Sequence, residues 1–260
     1  MIYPLYVLLL GMLAGLHAAC YGAYKDSPYE RFKLNRFVRE ISIGAISALF
    51  IFFSTETRNV HPAILFLSFV ACSRIFTESY KLFIREESQK KYKIPSMLHI
   101  FKNVLTSRLQ RILIGVVAYV IFAGFFVLAF KISSIFSIPI SGVLIGLITG
   151  LITGFGGAYK DGFFEGFQIR KFFRSPIIGA LSGYLLSYLT AEPLFLLLSS
   201  WGLERMIVEF YKGFVKAKYV PGKFNFIKAR YPEYFLKRKR IIPAYVATWF
   251  TLVFLLLYRI

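Results

Sequence analysis

The chain has 260 residues, is 57% hydrophobic and only 17% charged, and sets 32 Lys and Arg against 13 Asp and Glu, for a formal charge of +19. A soluble domain of this size is far more polar, so an ordinary water-soluble globule is excluded. The charge does not point to nucleic acid, because basic residues of a polytopic membrane protein collect in its cytoplasmic loops.

Apolar stretches near membrane-spanning length recur along the whole chain. Eight spans are predicted, at residues 3–23, 41–55, 62–79, 111–130, 138–158, 177–191, 193–209 and 241–258. The first lacks a basic region ahead of its apolar stretch, so it reads as a span and not as a cleaved leader. Between the first two, Ser27-Pro28-Tyr29-Glu30 has the pattern of a capping box, which predicts a separate helix at headgroup depth. Its aromatic residues Tyr29, Phe32 and Phe37 alternate with Arg31, Lys33, Arg36 and Arg39. A similar segment after the fifth span carries Phe163, Phe164, Phe167, Phe172 and Phe173 among Arg170, Lys171 and Arg174. Met97 to Leu109 reads as a third amphipathic helix. The spans beginning at 41 and 177 are short for a bilayer and are expected to be tilted or to extend into the neighbouring loops.

Lysine and arginine concentrate after spans one, three, five and seven, as in Lys90-Lys91-Tyr92-Lys93 and Lys237-Arg238-Lys239-Arg240. The opposite side offers only Arg58, Lys131 and Arg259. The positive-inside rule therefore places both termini outside and the four long loops in the cytoplasm. Cys20 and Cys72 both fall in apolar spans and fit no disulfide framework or metal spacing.

The most specific signal is an internal repeat. Gly22-Ala23-Tyr24-Lys25-Asp26 returns as Gly157-Ala158-Tyr159-Lys160-Asp161, an offset of 135. Gly11, Gly15, Glu30, Arg39 and Gly44 match Gly146, Gly150, Glu165, Arg174 and Gly179 in the same register. At an offset of 131, Arg74, Glu78, Tyr80-Lys81 and Phe83 match Arg205, Glu209, Tyr211-Lys212 and Phe214. At an offset of 129, Arg111-Ile112 matches Arg240-Ile241. Four spans per unit is an even number, so the units insert with the same orientation. The expected fold is all-α, a polytopic membrane protein of two parallel four-helix repeats, residues 1–131 and 132–260. Gly142, Gly146, Gly150 and Gly154, and in the first half Gly11, Gly15 and Ala19, form stripes of small residues. Such stripes let helix backbones approach closely, so the first and fifth spans are expected to pack on each other or on equivalent neighbours.

Charged residues repeated at matching positions are the candidate site: Lys25, Asp26, Glu30, Arg39, Arg74, Glu78 and Lys81, with Lys160, Asp161, Glu165, Arg174, Arg205, Glu209 and Lys212. Ionisable groups in or beside apolar spans are costly and are usually paired or functional. The basic members suit an anionic substrate; the carboxylates suit a cation or a proton, or Mg²⁺ bridging to a lipid phosphate. Structural roles account for the same residues. Asp26 and Glu30 suit a helix N-terminus, and Arg74–Glu78 and Arg205–Glu209 are spaced as i,i+4 ion pairs. His17 is the one histidine inside a span, where a single hydrogen bond would explain it; His61 and His99 are expected to be solvated.

No HExxH, P-loop, GxSxG or dinucleotide pattern occurs, and no metal or cofactor is implied. Nor does the Tyr-Lys-Asp motif fit the aspartate-rich motifs of intramembrane prenyltransferases or the signature of CDP-alcohol phosphotransferases. The expected partners are anionic lipid headgroups and an anionic small molecule or lipid, not nucleic acid. Three functions remain open: a transporter or channel-like protein with a cytoplasm-facing charged site between the repeats, an enzyme acting on a lipid or polyprenyl phosphate, and a scaffold binding acidic lipids.

Overall fold

A computed structural model describes residues 2–216, 220–224 and 227–258. It is a helical protein. Helices α1 (Ile2–Glu30), α2 (Leu34–Ser54), α3 (Pro62–Ser79), α4 (Arg108–Ile135), α5 (Ile138–Glu165), α6 (Ile169–Leu186) and α7 (Pro193–Phe210) are followed by a short α8 (Tyr234–Lys237) and by α9 (Ile242–Leu257). Among the described residues, six helical stretches are long and apolar enough to cross a membrane: Ile2–Glu30, Leu34–Ser54, Pro62–Ile84, Arg108–Ile135, Ile138–Glu165 and Tyr234–Leu257. α4 keeps large apolar side chains such as Leu113, Val116, Val120 and Ile121 exposed along its length. That surface suits lipid and not water.

The helices cluster into two compact units. The first comprises residues 1–74, 198–219 and 228–260, the second 75–197 and 220–227. Each draws on both halves of the sequence.

In the first unit α1 packs along α2 with backbones in contact. A Cβ on Gly15 would stand 2.5 Å from the Glu40 carbonyl and 2.7 Å from Ile41 Cα, and one on Gly44 would strike Gly11 and Gly15. Further along this unit, Gly202 of α7 lies against the Leu67 backbone of α3. In the second unit α5 packs on α6 in the same manner: Gly142 meets Gly183, Gly146 meets Gly179, and Gly150 meets Pro176. The small-residue stripes therefore serve the next helix in sequence, through van der Waals contact that larger side chains would prevent.

Several expected boundaries change. Ser27-Pro28 does not open a new helix, because α1 continues through it to Glu30. Proline has no N–H to give the carbonyl four residues earlier. That carbonyl, on Tyr24, instead accepts from Arg238 NH1 at 3.4 Å, which compensates the interior proline. α2 then starts at Leu34, so the short second span is a 21-residue helix whose basic first turns had resembled a loop. Likewise α6 starts at Ile169 and not at 177. Met97 to Leu109 is not a helix. It holds a hairpin of two two-residue strands, β1 (His99–Ile100) and β2 (Asn103–Val104), before α4 begins. Arg259 lies outside the described residues.

The turns and the helix ends repeat in detail. The break after α1 places Arg31 at φ 63°, and the break after α5 places Gly166 at φ 77°. These residues are 135 apart, and the left-handed backbone that glycine adopts freely is held at Arg31 at a cost of roughly 1–2 kcal/mol. α3 ends in a π-helical turn, Tyr80–Ile84, and α7 ends in another, Tyr211–Val215. Arg85 N–H bonds the Tyr80 carbonyl and Lys216 N–H the Tyr211 carbonyl, each at 2.8 Å. Such widened turns recur at functional sites because they re-aim the side chains that follow.

Gly146→Ala should lower thermal stability in detergent by about 1–3 kcal/mol, because its methyl group would meet the Gly179 carbonyl. Gly156→Ala, which has nothing within 4 Å, should instead stabilise the same helix by about 1 kcal/mol through helix propensity. Equal effects at the two positions would refute the close approach of α5 and α6.

Candidate functional site: a buried charged cluster

The first unit brings ionisable side chains from three helices together in its interior. Glu209 of α7 is ion-paired to Arg74 of α3 through Arg74 NH2. The same carboxylate oxygen, Oε2, stands 3.5 Å from His17 Nε2 of α1. On its other edge, His17 Nδ1 is 3.1 Å from Thr248 Oγ1 of α9. The Thr248 hydroxyl is itself 2.7 Å from the Tyr245 carbonyl, to which it donates. A hydroxyl that donates there accepts from the imidazole, so the Nδ1 position carries a proton. Nε2 then faces a carboxylate. A lone pair in that place would be repelled, whereas an N–H there makes the pair attractive. The His17–Glu209 edge is thus where a second imidazole proton would be held.

Arg205, on α7 one turn before Glu209, does not form the expected i,i+4 pair. Its Nε lies 3.3 Å from Glu204, which is fully buried, while Glu209 turns toward Arg74 and His17. Tyr21, buried on α1 one turn after His17, presents its ring to two cations: the Arg74 guanidinium carbon at 5.9 Å and Lys25 Nζ at 5.4 Å. Lys25 also stands 3.7 Å from Asp26.

An aromatic column runs from a basic segment to this cluster. Arg238 lies over Tyr24 at 4.4 Å, Tyr24 stacks on Phe214 at 4.7 Å, Phe214 on Tyr245 at 4.8 Å, and Tyr245 lies 4.8 Å from the His17 ring. Phe214 belongs to the π-helical turn, whose wider backbone sets its ring between the two tyrosines.

The remaining charged candidates have other settings. In the first unit Glu30 accepts from Arg36 across the turn into α2, and Glu40 accepts from Arg39 within α2. Lys212 lies half-buried in the π turn. In the second unit Lys171 bonds Asp161 at 2.7 Å and Glu165 at 3.2 Å, which clamps the start of α6 to the end of α5. Glu78 accepts from Lys81 at 2.8 Å. Arg174 and Lys160 are half-buried on α6 and α5. Among the described residues no group of three His, Cys, Asp or Glu side chains converges as metal ligands do.

Sequence reasoning missed Thr248, Tyr245 and Glu204, and gave His17 too little weight. His99 is corrected as well: it is buried, with its ring stacked 5.4 Å from Phe164, and Tyr159 donates to its carbonyl at 2.8 Å. Arg36 and Lys171 had a signal, since they are 135 apart and opposite the repeated acids. No family model, curated protein or solved structure matches this chain.

Burial, and after it the charge of Lys160, lowers the His99 pKa below the ordinary value of about 6.5. The folded state thus favours neutral His99. Its stability contribution is complete above about pH 6.5 and is lost as pH falls below that value. Thermal stability should therefore drop between pH 7.5 and 5.5, and His99→Phe should flatten that drop. An unchanged slope in the variant would assign it to another group.

Proposed function

We propose that this chain is a multi-pass membrane carrier for an anionic solute, coupled to a proton, with the buried cluster of His17, Arg74, Arg205 and Glu209 as its site. The observation that carries this reading is the pairing of Glu209 with both Arg74 and His17 in an apolar interior. Intramembrane charges are expensive, and where they persist they mark ion paths and proton relays. An acidic-lipid scaffold needs basic residues at its surface, not an ion pair in its core.

The mechanism follows from competition. An entering anion and Glu209 are rivals for the Arg74 guanidinium. An anion that takes Arg74 leaves the Glu209 carboxylate without its cation. The His17 Nε2–H bond then breaks and a new O–H bond forms at Glu209 Oε2, leaving His17 neutral. The anion and the Glu209 proton then leave together on the far side, Glu209 returns to Arg74, and His17 takes a new proton from the side of entry, so one proton crosses with each anion. The Arg238–Tyr24–Phe214–Tyr245 column suits a gate over this site, since an anion passing there must part the stacked rings.

The same reading takes the chain as eight spans in two parallel repeats, with both termini outside and the basic loops cytoplasmic. The equivalent glycine contacts, turns and π segments in the two halves support the duplication. The site itself joins Arg74 from the first half to Glu209 from the second.

Flux and folding measured together test the site. Wild-type proteoliposomes loaded with a pH-sensitive dye should acidify inside when an inward gradient of phosphate, sulfate or succinate is imposed. Glu209→Gln should destabilise the protein by about 3 kcal/mol, because Arg74 keeps its charge and loses its partner. Arg74→Gln with Glu209→Gln should regain much of that stability and still lack flux. Full flux in the double variant, or none in the wild type with any of the anions, refutes the carrier.

Topology is checked separately. In a Cys20→Ala, Cys72→Ala background, a cysteine at Asn59 should react with a membrane-impermeant maleimide from outside and one at Lys91 should not. Outside labelling of position 91 would overturn the orientation.

A further inference from the structure

Arg111 lies in the first turn and a half of α4, in the second unit, and is fully buried. Its guanidinium nitrogens Nε, NH1 and NH2 all lack a hydrogen-bond partner. Arginine stays charged in any protein environment and presents five N–H donors. Leaving such a group buried and uncompensated costs several kcal/mol, far more than a surface mismatch. Arginines that are only partly buried have partners: Arg74 has Glu209, Arg205 has Glu204, and Arg85 has Glu87 at 3.2 Å and Ser96.

The setting of Arg111 is built for an anion. One turn along the same face of α4, Gly115 lies against Phe83 of the π-helical turn Tyr80–Ile84; a Cβ there would stand 2.9 Å from the ring. This close seat sinks that face of α4, Arg111 included, into the unit. Helical side chains leave the helix tilted toward its N-terminus, so Arg111 departs from α4 in the direction of its first turn. There the first N–H groups lack intrahelical partners and carry the positive end of a 28-residue helix. Ser107 satisfies the Gln110 N–H at 3.4 Å and leaves those of Arg108 and Leu109 outside the helix's own bonds.

We propose that Arg111 and the N-terminus of α4 bind a phosphate group, either free or as the headgroup of a phospholipid. A planar guanidinium beside free amide N–H groups matches the oxygens of phosphate. The site is independent of the His17 cluster. The sequence sets it apart too, because its counterpart at an offset of 129, Arg240, is exposed. Common ancestry of the halves therefore does not account for the buried position.

Thermal unfolding of detergent-purified protein, stripped of phospholipid by extensive washing, tests this. Without phosphate, Arg111→Met should unfold at a higher temperature than the wild type, because it removes the unmatched charge. Saturating inorganic phosphate should then raise the wild type on the order of 5 °C and leave Arg111→Met unchanged. If phosphate does nothing, but nanodiscs with phosphatidic acid raise the wild type above nanodiscs with phosphatidylcholine and do not raise Arg111→Met, the ligand is a lipid headgroup. Shifts equal in both proteins, or absent from the wild type with both probes, overturn the site. Should Arg111→Met not fold, native mass spectrometry of the wild type decides: a retained phosphate or phospholipid adduct supports the site, and a bare mass refutes it.

Discussion

An ionised carboxylate in an apolar interior has to be matched, and in this protein that requirement falls on Glu209. Burial costs a charge several kcal/mol unless a partner and further hydrogen bonds compensate it. Arg74 supplies the partner and His17 the second contact. Because Arg74 comes from α3 and His17 from α1, three segments far apart in sequence are fixed by one side chain. Thr248 and Tyr245 then hold the imidazole from α9. The close backbone packing of α1 on α2 gives α1 a rigid seat from which His17 projects. Gly202 lets α7 approach α3 at Leu67, about two turns along the same helix faces from Glu209 and Arg74.

The helical character and several charged members of the cluster were legible in the sequence, because repetition separates signal from chance; their pairing was not. A single glycine stripe is common in membrane helices, but stripes at matched positions marked faces of close helix approach, although the partners expected were the first and fifth spans and the contacts found are with Gly44 and Gly179 of the next helix. The repeated Tyr-Lys-x-Phe became two π-helical turns, although nothing in residue periodicity marks such a turn in advance. The helix starts were illegible for a physical reason. The first turns of α2 and α6 are rich in Arg and Lys, whose long stems cover apolar surface while their charges reach polar surroundings. Read by hydropathy alone, these turns look like loops. The β1–β2 hairpin was equally hidden, since strands of two residues have no alternation to detect.

The α9 contribution was missed because the repeat fails there. Thr248 corresponds at an offset of 129 to Tyr119, and His17 corresponds at 135 to Ile152, so comparing halves removes both residues from view. The repeated acids have the opposite history. Asp161 and Glu165 with Lys171, and Glu30 with Arg36, bridge the turn between consecutive helices in each half. A bond that joins the end of one helix to the start of the next stabilises the hairpin of that half. Both halves need it, which is reason enough for both to carry it.

This inverts the usual value of symmetry. Residues needed twice are those that shape each half, and the glycines, the left-handed turn residues and the acid clamps all belong to that set. Residues present once do something that one half alone requires. His17 stands where the other half has Ile152, and fully buried Glu204 stands where it has Ser73. Arg111 is buried where Arg240 is exposed. Glu209 belongs to both sets: its sequence position is repeated at Glu78, but its bonds to His17 and Arg74 draw on a residue that has no twin. A structural ion pair could be built symmetrically at no extra cost. An ion pair that recruits an unrepeated histidine differs from its sequence counterpart, and the proposed proton-bearing site requires that difference where a hairpin clamp would not.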